Sequence, residues 1–341
     1  MMKQGIISAG NYIIDRVKTI SHWPVHGTIT DIVEEKTGGG GGAYNVIIDL
    51  AKLQVNIPLY ALGMIGDDSN GHAILNDLQQ HRVNTDWMVQ TESAATSYTD
   101  VMSEKNSPYR TFFHCRGANA LLDVEHFTKL DINARIFFLG YLLLLDRFEL
   151  PDKAFKYRGA RILDLLRNKG YRTAVDLVTV QGEEPARIAQ SCLPFIDYLI
   201  VNEYEAANIT GLSIRLSEQK LDKMRLMNSA AMLMEKGVNE LVVIHFPEGA
   251  YALSKTGQDV WSPSFRVNSD EIAGTTGAGD AFCSGLLWGL HEEKPLGYTL
   301  KFAHACARYN LMHETATGGA VSQKMIADFI EKGIVRKNSP F

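Results

Sequence analysis

The chain has 341 residues, 45% of them apolar and 21% charged, a balance that excludes a disordered or low-complexity chain. Its formal net charge of −5 argues against a nucleic-acid binder and offers nothing to attract a membrane surface. Four scattered cysteines (Cys115, Cys192, Cys283 and Cys306) form no C-x-x-C pair, and the 10 histidines show no metal-like spacing. Reduced thiols in a cytosolic protein are therefore expected.

In chain order, "MMKQGIISAGNYIIDRV" carries Asp15 where an export signal would need an apolar core, so no signal peptide is expected. Within it "GIISAG" reads as a first buried strand. "GTITDIVEEKT" alternates like strands with one wet face. Five glycines, Gly38 to Gly42, then stand before Ala43, Val46, Ile47, Leu50 and Leu53, which recur at helical spacing. "PLYALGMIG" is another short buried strand. "ATSYTDVMS" and "RTFFHC" read as paired strands around the turn "EKNSPY".

From about Asp131 the rhythm becomes strand–helix–strand. "RIFFLG", "TAVDLV" and "DYLIVN" are strands, and "KYRGARILDLLRNKG" is helical. The longest apolar run, Ile136 to Leu145, is about half of the ~20 residues that a membrane span needs. "LSEQKLDKMRLMNSAAMLMEKG" predicts an amphipathic helix, "ELVVIHF" a strand, and "AYALS" with "QDVWSPS" a hairpin. Helices are expected at Ala281–Leu290, Leu300–His313 and Gln323–Lys332. This alternation specifies the α/β class, with a mainly parallel sheet covered on both faces. No linker or repeat interrupts it, so residues 1–341 are read as one domain. The β-rich pieces at about 11–36 and 96–116 read as a small accessory sheet inserted into that core.

The chemistry concentrates in "EIAGTTGAGDAFCSGLLWGL", Glu271 to Leu290. A helix that opens near Asp280 leaves its first amides without internal partners and at the positive end of the dipole. Gly277, Ala278 and Gly279 can thus cradle an anion such as phosphate. No lysine follows as in a Walker A loop; an acid stands there instead. Asp280 beside such a cradle suits phosphoryl transfer to an alcohol, with the acid taking the hydroxyl proton. It would equally serve as a helix N-cap. The "GGGGGAYN" run reads either as a flexible loop or as backbone against which a polyol lies, with Asn45 hydrogen-bonding to it. A dinucleotide fingerprint is disfavoured, because the preceding "TDIVEEKT" is half-polar rather than a buried strand.

Six motifs in order across nearly the whole length make the chain resemble a ribokinase-like (PfkB) carbohydrate kinase: "GNYIID", "GGGGGAYNV", "GMIGDDSNG", "RGAN", "NEYE" and "AGTTGAGDAFCSG". The resemblance implies a Rossmann-like three-layer core with a small β-sheet lid over the acceptor site. It makes Asp280 the general base, and Thr276, Gly277, Ala278 and Gly279 the anion hole for the transferred phosphate of ATP. Asp15, Gly40, Gly41, Asn45 and Asn119 become contacts to the acceptor, although Asn119 also reads as a turn residue. Asn202 and Glu205 would place Mg²⁺, largely through water, or simply cap a helix. Gly249 and Gly318 fall on the nucleotide side. Asp176 ends a strand, but the following Leu177-Val178 departs from the family's Asp-x-Asn, so it is left out.

Other departures bear on the ligands. Gly274 replaces the acid that relatives activated by a monovalent cation carry, which leaves only backbone carbonyls for K⁺. "HFPEGA" replaces the usual Thr-x-Gly of the nucleotide side. Gly42 stands where sugar-phosphate kinases tend to place a lysine, which favours an unphosphorylated acceptor. Arg110 and Arg116 keep a sugar acid or phosphosugar open, and Tyr98, Tyr109, Phe112 and Phe113 keep a nucleoside open. The competing readings are therefore an ATP-dependent sugar kinase, a nucleoside or sugar-acid kinase, and an inactive sugar- or nucleotide-binding regulator. A lid apolar on both faces predicts a homodimer.

Overall fold

The computed structural model describes residues 4–104, 110–180, 182–217 and 220–336. β1 (Ile6–Gly10) is buried throughout, as its apolar and small residues require. β2 (Ile13–Ile20), β3 (Ile32–Gly40), α1 (Gly42–Lys52), β4 (Leu59–Gly66), α2 (Ser69–Gln80) and β5 (Asn84–Thr91) follow. β6 (Tyr98–Glu104), β7 (Arg110–Cys115), α3 (Glu125–Thr128) and β8 (Ile136–Gly140) come next. A short hairpin, β9 (Pro151–Asp152) and β10 (Lys156–Tyr157), leads into α4 (Arg158–Asn168), β11 (Arg172–Asp176), α5 (Glu183–Cys192), β12 (Tyr198–Asn202) and α6 (Glu203–Thr210). β13 (Arg215–Ser217) and β14 (Lys220–Leu221) precede α7 (Lys223–Glu235), β15 (Leu241–Phe246), β16 (Gly249–Ser254) and β17 (Asp259–Pro263). Then come α8 (Ala278–His291), α9 (Leu296–Leu311) and α10 (Gln323–Lys332).

The main sheet runs β17-β16-β15-β12-β11-β8-β1-β4-β5. Strands β15 to β5 of that order are parallel, and β16 and β17 extend one edge antiparallel. Successive side chains on a strand point to opposite faces. Ile7, Phe137, Leu139 and Val175 accordingly pack on one face with α4, α5 and α7. Ile6, Phe138, Ala174 and Val243 pack on the other with α1, α8 and α9. This is the three-layer α/β architecture.

A second sheet, β3-β2-β6-β7, forms the lid. Only Asn11 and Tyr12 separate β1 from β2, so the lid rises from the C-terminal rim of the main sheet. Its strands fall at 13–20, 32–40, 98–104 and 110–115; β3 therefore runs four residues past the expected 36, into the glycines, and 21–31 form no strand. Most of the expected turn "EKNSPY", with Tyr109, lies outside the described residues. The helix expected from 216 begins only at Lys223, because the Asp222 carboxylate caps it by accepting from the Arg225 amide. The cysteines are unpaired, and no helix among the described residues is long and apolar enough to cross a membrane.

Candidate active site

In open α/β sheets ligands gather beyond the carboxyl ends of the strands. On that rim β8 ends at Gly140, β11 at Asp176, β12 at Asn202 and β15 at His245 and Phe246. Two cavities open there. One of about 530 Å³ lies beneath the lid, walled by Asp15, Asn45, Tyr141, Asp176, Glu205 and Asp280, with Thr99, Phe112 and His114 of the lid above. The other, of about 620 Å³, is walled by Arg215, Phe246, Glu248, Phe265, Phe282 and Arg308. Asn202, His245, Thr275 and Gly279 line both, so the cavities meet at the N-terminus of α8.

That N-terminus has the chemistry to receive an anion. Gly277 is the N-cap residue, at φ 79°, and a Cβ there would collide with the Ala316 carbonyl. Ala281 is the first residue to bond back into the helix, to the Gly277 carbonyl at 2.8 Å. Before it, the amides of Gly279 and Asp280 have no acceptor among the described residues, and the Ala278 amide makes only a 3.4 Å bond to the Thr275 carbonyl. The free amides add to the positive end of the helix dipole. The Thr276 hydroxyl accepts from the Arg110 guanidinium, which reaches down from the lid.

Asp280 sits in the first turn of α8, past the cap position, and is 3% exposed. Its carboxylate does not cap the helix. The Asn45 amide donates to it at 2.8 Å, and the Tyr141 hydroxyl lies 3.0 and 3.1 Å from its two oxygens. Burial pushes its pKa up to about 6, against the downward pull of these two donors. Both donors are set by backbone geometry. Gly41, at φ 90° with a Cβ that would meet the Asn11 carbonyl at 2.5 Å, lets α1 start where Asn45 can reach the acid. Tyr141 has the left-handed φ of 60°, and the Asn11 side chain holds its turn by donating to the Gly140 and Tyr141 carbonyls.

Asp15 lines the lid cavity from β2, its pKa pushed up to about 7 by burial and then by the Asp280 charge. Gly40 does not line the cavity but packs against Asp15, where a side chain would overlap the carboxylate. Asn119 does not reach the cavity either. It is fully buried, donating to the Tyr12 carbonyl at 3.1 Å and to Asn11 Oδ1 at 3.4 Å, a tie at the foot of the lid. Asp176, which sequence reasoning set aside, stands in the cavity wall with its pKa raised by burial, then by Glu205 and Asp280. Arg116 is drawn away to Asp146 and Glu149.

Asn202 and Glu205 form a capping box at the start of α6. Glu205 accepts from the Asn202 amide and side chain and from the Thr179 hydroxyl, and burial lifts its pKa to about 7. Among the described residues no three His, Cys, Asp or Glu side chains come together to ligate a metal. The Glu205 carboxylate, already engaged by protein donors and across the cavity wall from the raised Asp176, fits a cation that keeps its own waters.

Of the two glycines expected to face a nucleotide, neither Gly249 nor Gly318 lines the second cavity. A side chain at either would strike the ring of Trp261 or His313, so their smallness serves packing. The loop around Gly318 instead backs the anion cradle through Ala316 and through the Lys52 ammonium, which donates to the Thr317 carbonyl at 2.9 Å. One turn beyond Asn45, Asp49 is buried between α1 and α8, and neither of its oxygens finds a hydrogen-bond partner among the described residues. Burial raises its pKa well above the usual carboxylate range.

Comparison with known proteins agrees with this fold. Residues 6–322 match the family described as pfkB family carbohydrate kinase. A ribokinase of Bacillus subtilis (strain 168) is 25% identical over 96% of this chain and 99% of its own. Fructokinase-2 of Oryza sativa subsp. japonica is 26% identical over 88% of this chain and 86% of its own. The structure of Arabidopsis thaliana ribokinase complexed with ribose and ATP aligns with a TM-score of 0.77 at 21% identity, over 97% of this chain and 99% of that one. With the fold, the rim and the family match in agreement, this chain belongs to the pfkB family of carbohydrate kinases, phosphotransferases with an alcohol acceptor.

Proposed function

We propose that the chain transfers the γ-phosphate of ATP to a hydroxyl of a small, uncharged sugar. The observation that carries this reading is the placing of Asp280. It stands in the first turn of α8, beside the free amides, where the two cavities meet. The sugar lies under the lid against Asp15 and Asn45. Asp280, ionised and oriented by Asn45 and Tyr141, takes the proton of the attacking hydroxyl. The amides of Gly279 and Asp280, with the turn at Thr276 to Ala278, hold charge that develops on the transferred phosphoryl group. Mg²⁺, when bound, neutralises phosphate charge, and Asn202 and Glu205 orient its waters.

Uncharged is specified because no Lys or Arg lines the acceptor cavity among the described residues, whereas four carboxyl groups do. A sugar acid or sugar phosphate would meet repulsion there, with Arg116 held elsewhere and Arg110 engaged by Thr276. A nucleoside is the second reading, favoured by the Phe112 and His114 rings over the cavity. We also infer a homodimer through the lid, whose edge strands β3 and β7 expose Ile32, Val33, Phe112 and Phe113. Light scattering giving a monomer mass would overturn that inference.

The test is a panel of pentoses, hexoses, sugar acids, sugar phosphates and nucleosides, assayed for ATP-dependent phosphorylated product. Turnover on a neutral sugar is expected. Turnover confined to nucleosides would install the second reading, and none on any alcohol would overturn both.

A further inference from the structure

The proposed base is engaged on both oxygens before any substrate arrives. Asp280 Oδ2 receives the Asn45 amide at 2.8 Å, and the Tyr141 hydroxyl lies 3.0 Å from Oδ2 and 3.1 Å from Oδ1. Among the described residues Oδ1 has no other donor. Both side chains stand in the wall of the lid cavity, so on the kinase reading an acceptor hydroxyl meets the carboxylate where the phenol already sits. The contact is held by the backbone on either side. Tyr141 keeps a left-handed φ of 60°, a conformation that side chains disfavour. Gly42, at the start of α1, leaves space for its ring, because a Cβ there would come within 2.8 Å of Tyr141 Cδ1. Leu142 and Leu143, buried in the core, anchor the turn that follows. Burial, then the Asp280 and Asp176 charges, raise the pKa of the phenol well above its ordinary value. It therefore stays a donor and cannot replace Asp280 as the base.

We propose that Tyr141 selects the attacking group, capping Asp280 against water in the empty site and yielding Oδ1 only to a hydroxyl that the cavity holds in place. The inference rests on the kinase reading and adds a specificity-determining residue to it. The cavity of about 530 Å³ has room for many waters when no sugar occupies it. An uncapped Asp280 beside ATP would serve any of them. The water oxygen would bond to the γ-phosphorus, and the bond from that phosphorus to the bridging oxygen would break with its electron pair leaving on ADP. Asp280 would take one water proton, and the products would be ADP and inorganic phosphate. Loose water is a poor competitor for a phenol fixed by its own ring. A sugar held at Asp15 and Asn45 delivers its hydroxyl at high effective concentration, which lets it take Oδ1 from Tyr141. The Asn45 bond to Oδ2 stays in place throughout, so the carboxylate keeps its aim.

The experiment counts inorganic phosphate released from MgATP alone, against sugar phosphate formed with the neutral sugar turned over fastest in the panel above. It compares the wild-type chain with Tyr141→Phe, which keeps the ring and loses the hydroxyl. Gly42→Ala, which keeps the hydroxyl and presses the ring aside, carries the same test if the Phe variant does not fold. The ratio of acceptor-free hydrolysis to sugar phosphorylation should rise about tenfold or more in the variant. Wild type itself should hydrolyse MgATP alone far more slowly than it phosphorylates the sugar. If Tyr141 only oriented Asp280, its loss would slow both reactions alike. Both rates lowered together, with the ratio unchanged, would therefore overturn the proposal and leave the kinase reading intact. Wild type that hydrolyses MgATP as fast without sugar as with it would do the same. Wild type that transfers phosphate to no alcohol would take down both readings.

Discussion

The two cavities share a floor and differ in charge. Beneath the lid stand Asp15, Asp176, Glu205 and Asp280 and no Lys or Arg among the described lining residues; across the α8 N-terminus stand Arg215, Arg308 and Arg336 with Glu203 and Glu248, beside Phe246, Phe265 and Phe282. Arg215 is paired with both glutamates and Arg308 with Glu271, so the second cavity is close to balanced in charge while the first is purely acidic. Burial raises the pKa values of two of the acids under the lid, to about 7 for Asp15, where the Asp280 charge adds to it, and to about 6 for Asp280. On the proposed reading the acidic side takes the neutral alcohol and the balanced side the nucleotide.

The harshest break in this asymmetry is to remove the proton acceptor. Asp280→Asn should lower kcat by about 10²–10⁴-fold while both KM values move little, as read by steady-state kinetics. Turnover near wild type would remove Asp280 from its role. Next, Asp15→Asn should raise the acceptor KM by about ten- to a hundredfold and leave the ATP KM alone. Equal effects on the two substrates would mean that the cavities are not separate subsites. A milder probe is pH. The base works ionised, so kcat/KM should fall about tenfold per unit as pH drops below about 6. A flat acid limb would place the proton acceptor elsewhere.

The smallest effect concerns stability. The folded pKa of Asp49 is raised, so the stability it contributes is complete below the unfolded value of about 3.9 and is lost as pH rises towards the folded one. At neutral pH Asp49 costs stability. Asp49→Asn should raise Tm by about 2 °C, with kcat unchanged, and the gain should shrink in acid. A lower Tm at neutral pH would show that Asp49 has a partner in solution.

Much of this was legible in the chain. The alternation from Asp131 onward predicts the parallel sheet, and the glycine–acid seam at Gly277 to Asp280 marks the start of α8, because both depend on local pattern. Residues 69–91, α2 and β5, went unassigned: Ile74 and Leu78 are the only large apolar residues that α2 buries, and β5 is partly exposed. Tyr141 was unreadable because its role depends on a left-handed residue in an apolar run, where only the fold reveals the turn. Gly249 and Gly318 read as ligand-facing glycines, since spacing does not distinguish room for a nucleotide from room for Trp261 or His313. His245 showed only as a departure from the family's pattern; its position at the junction needed three dimensions.

The lid reaches the floor through Lys36 with Glu314 and Arg110 with Thr276. Lys36 and Glu314 are exposed at 40% and 55%, and ion pairs in that setting are weak because solvent screens them. Latches this weak offer little resistance to the lid parting from the main sheet. High ionic strength, which screens them, should therefore loosen substrate retention before it touches the chemical step.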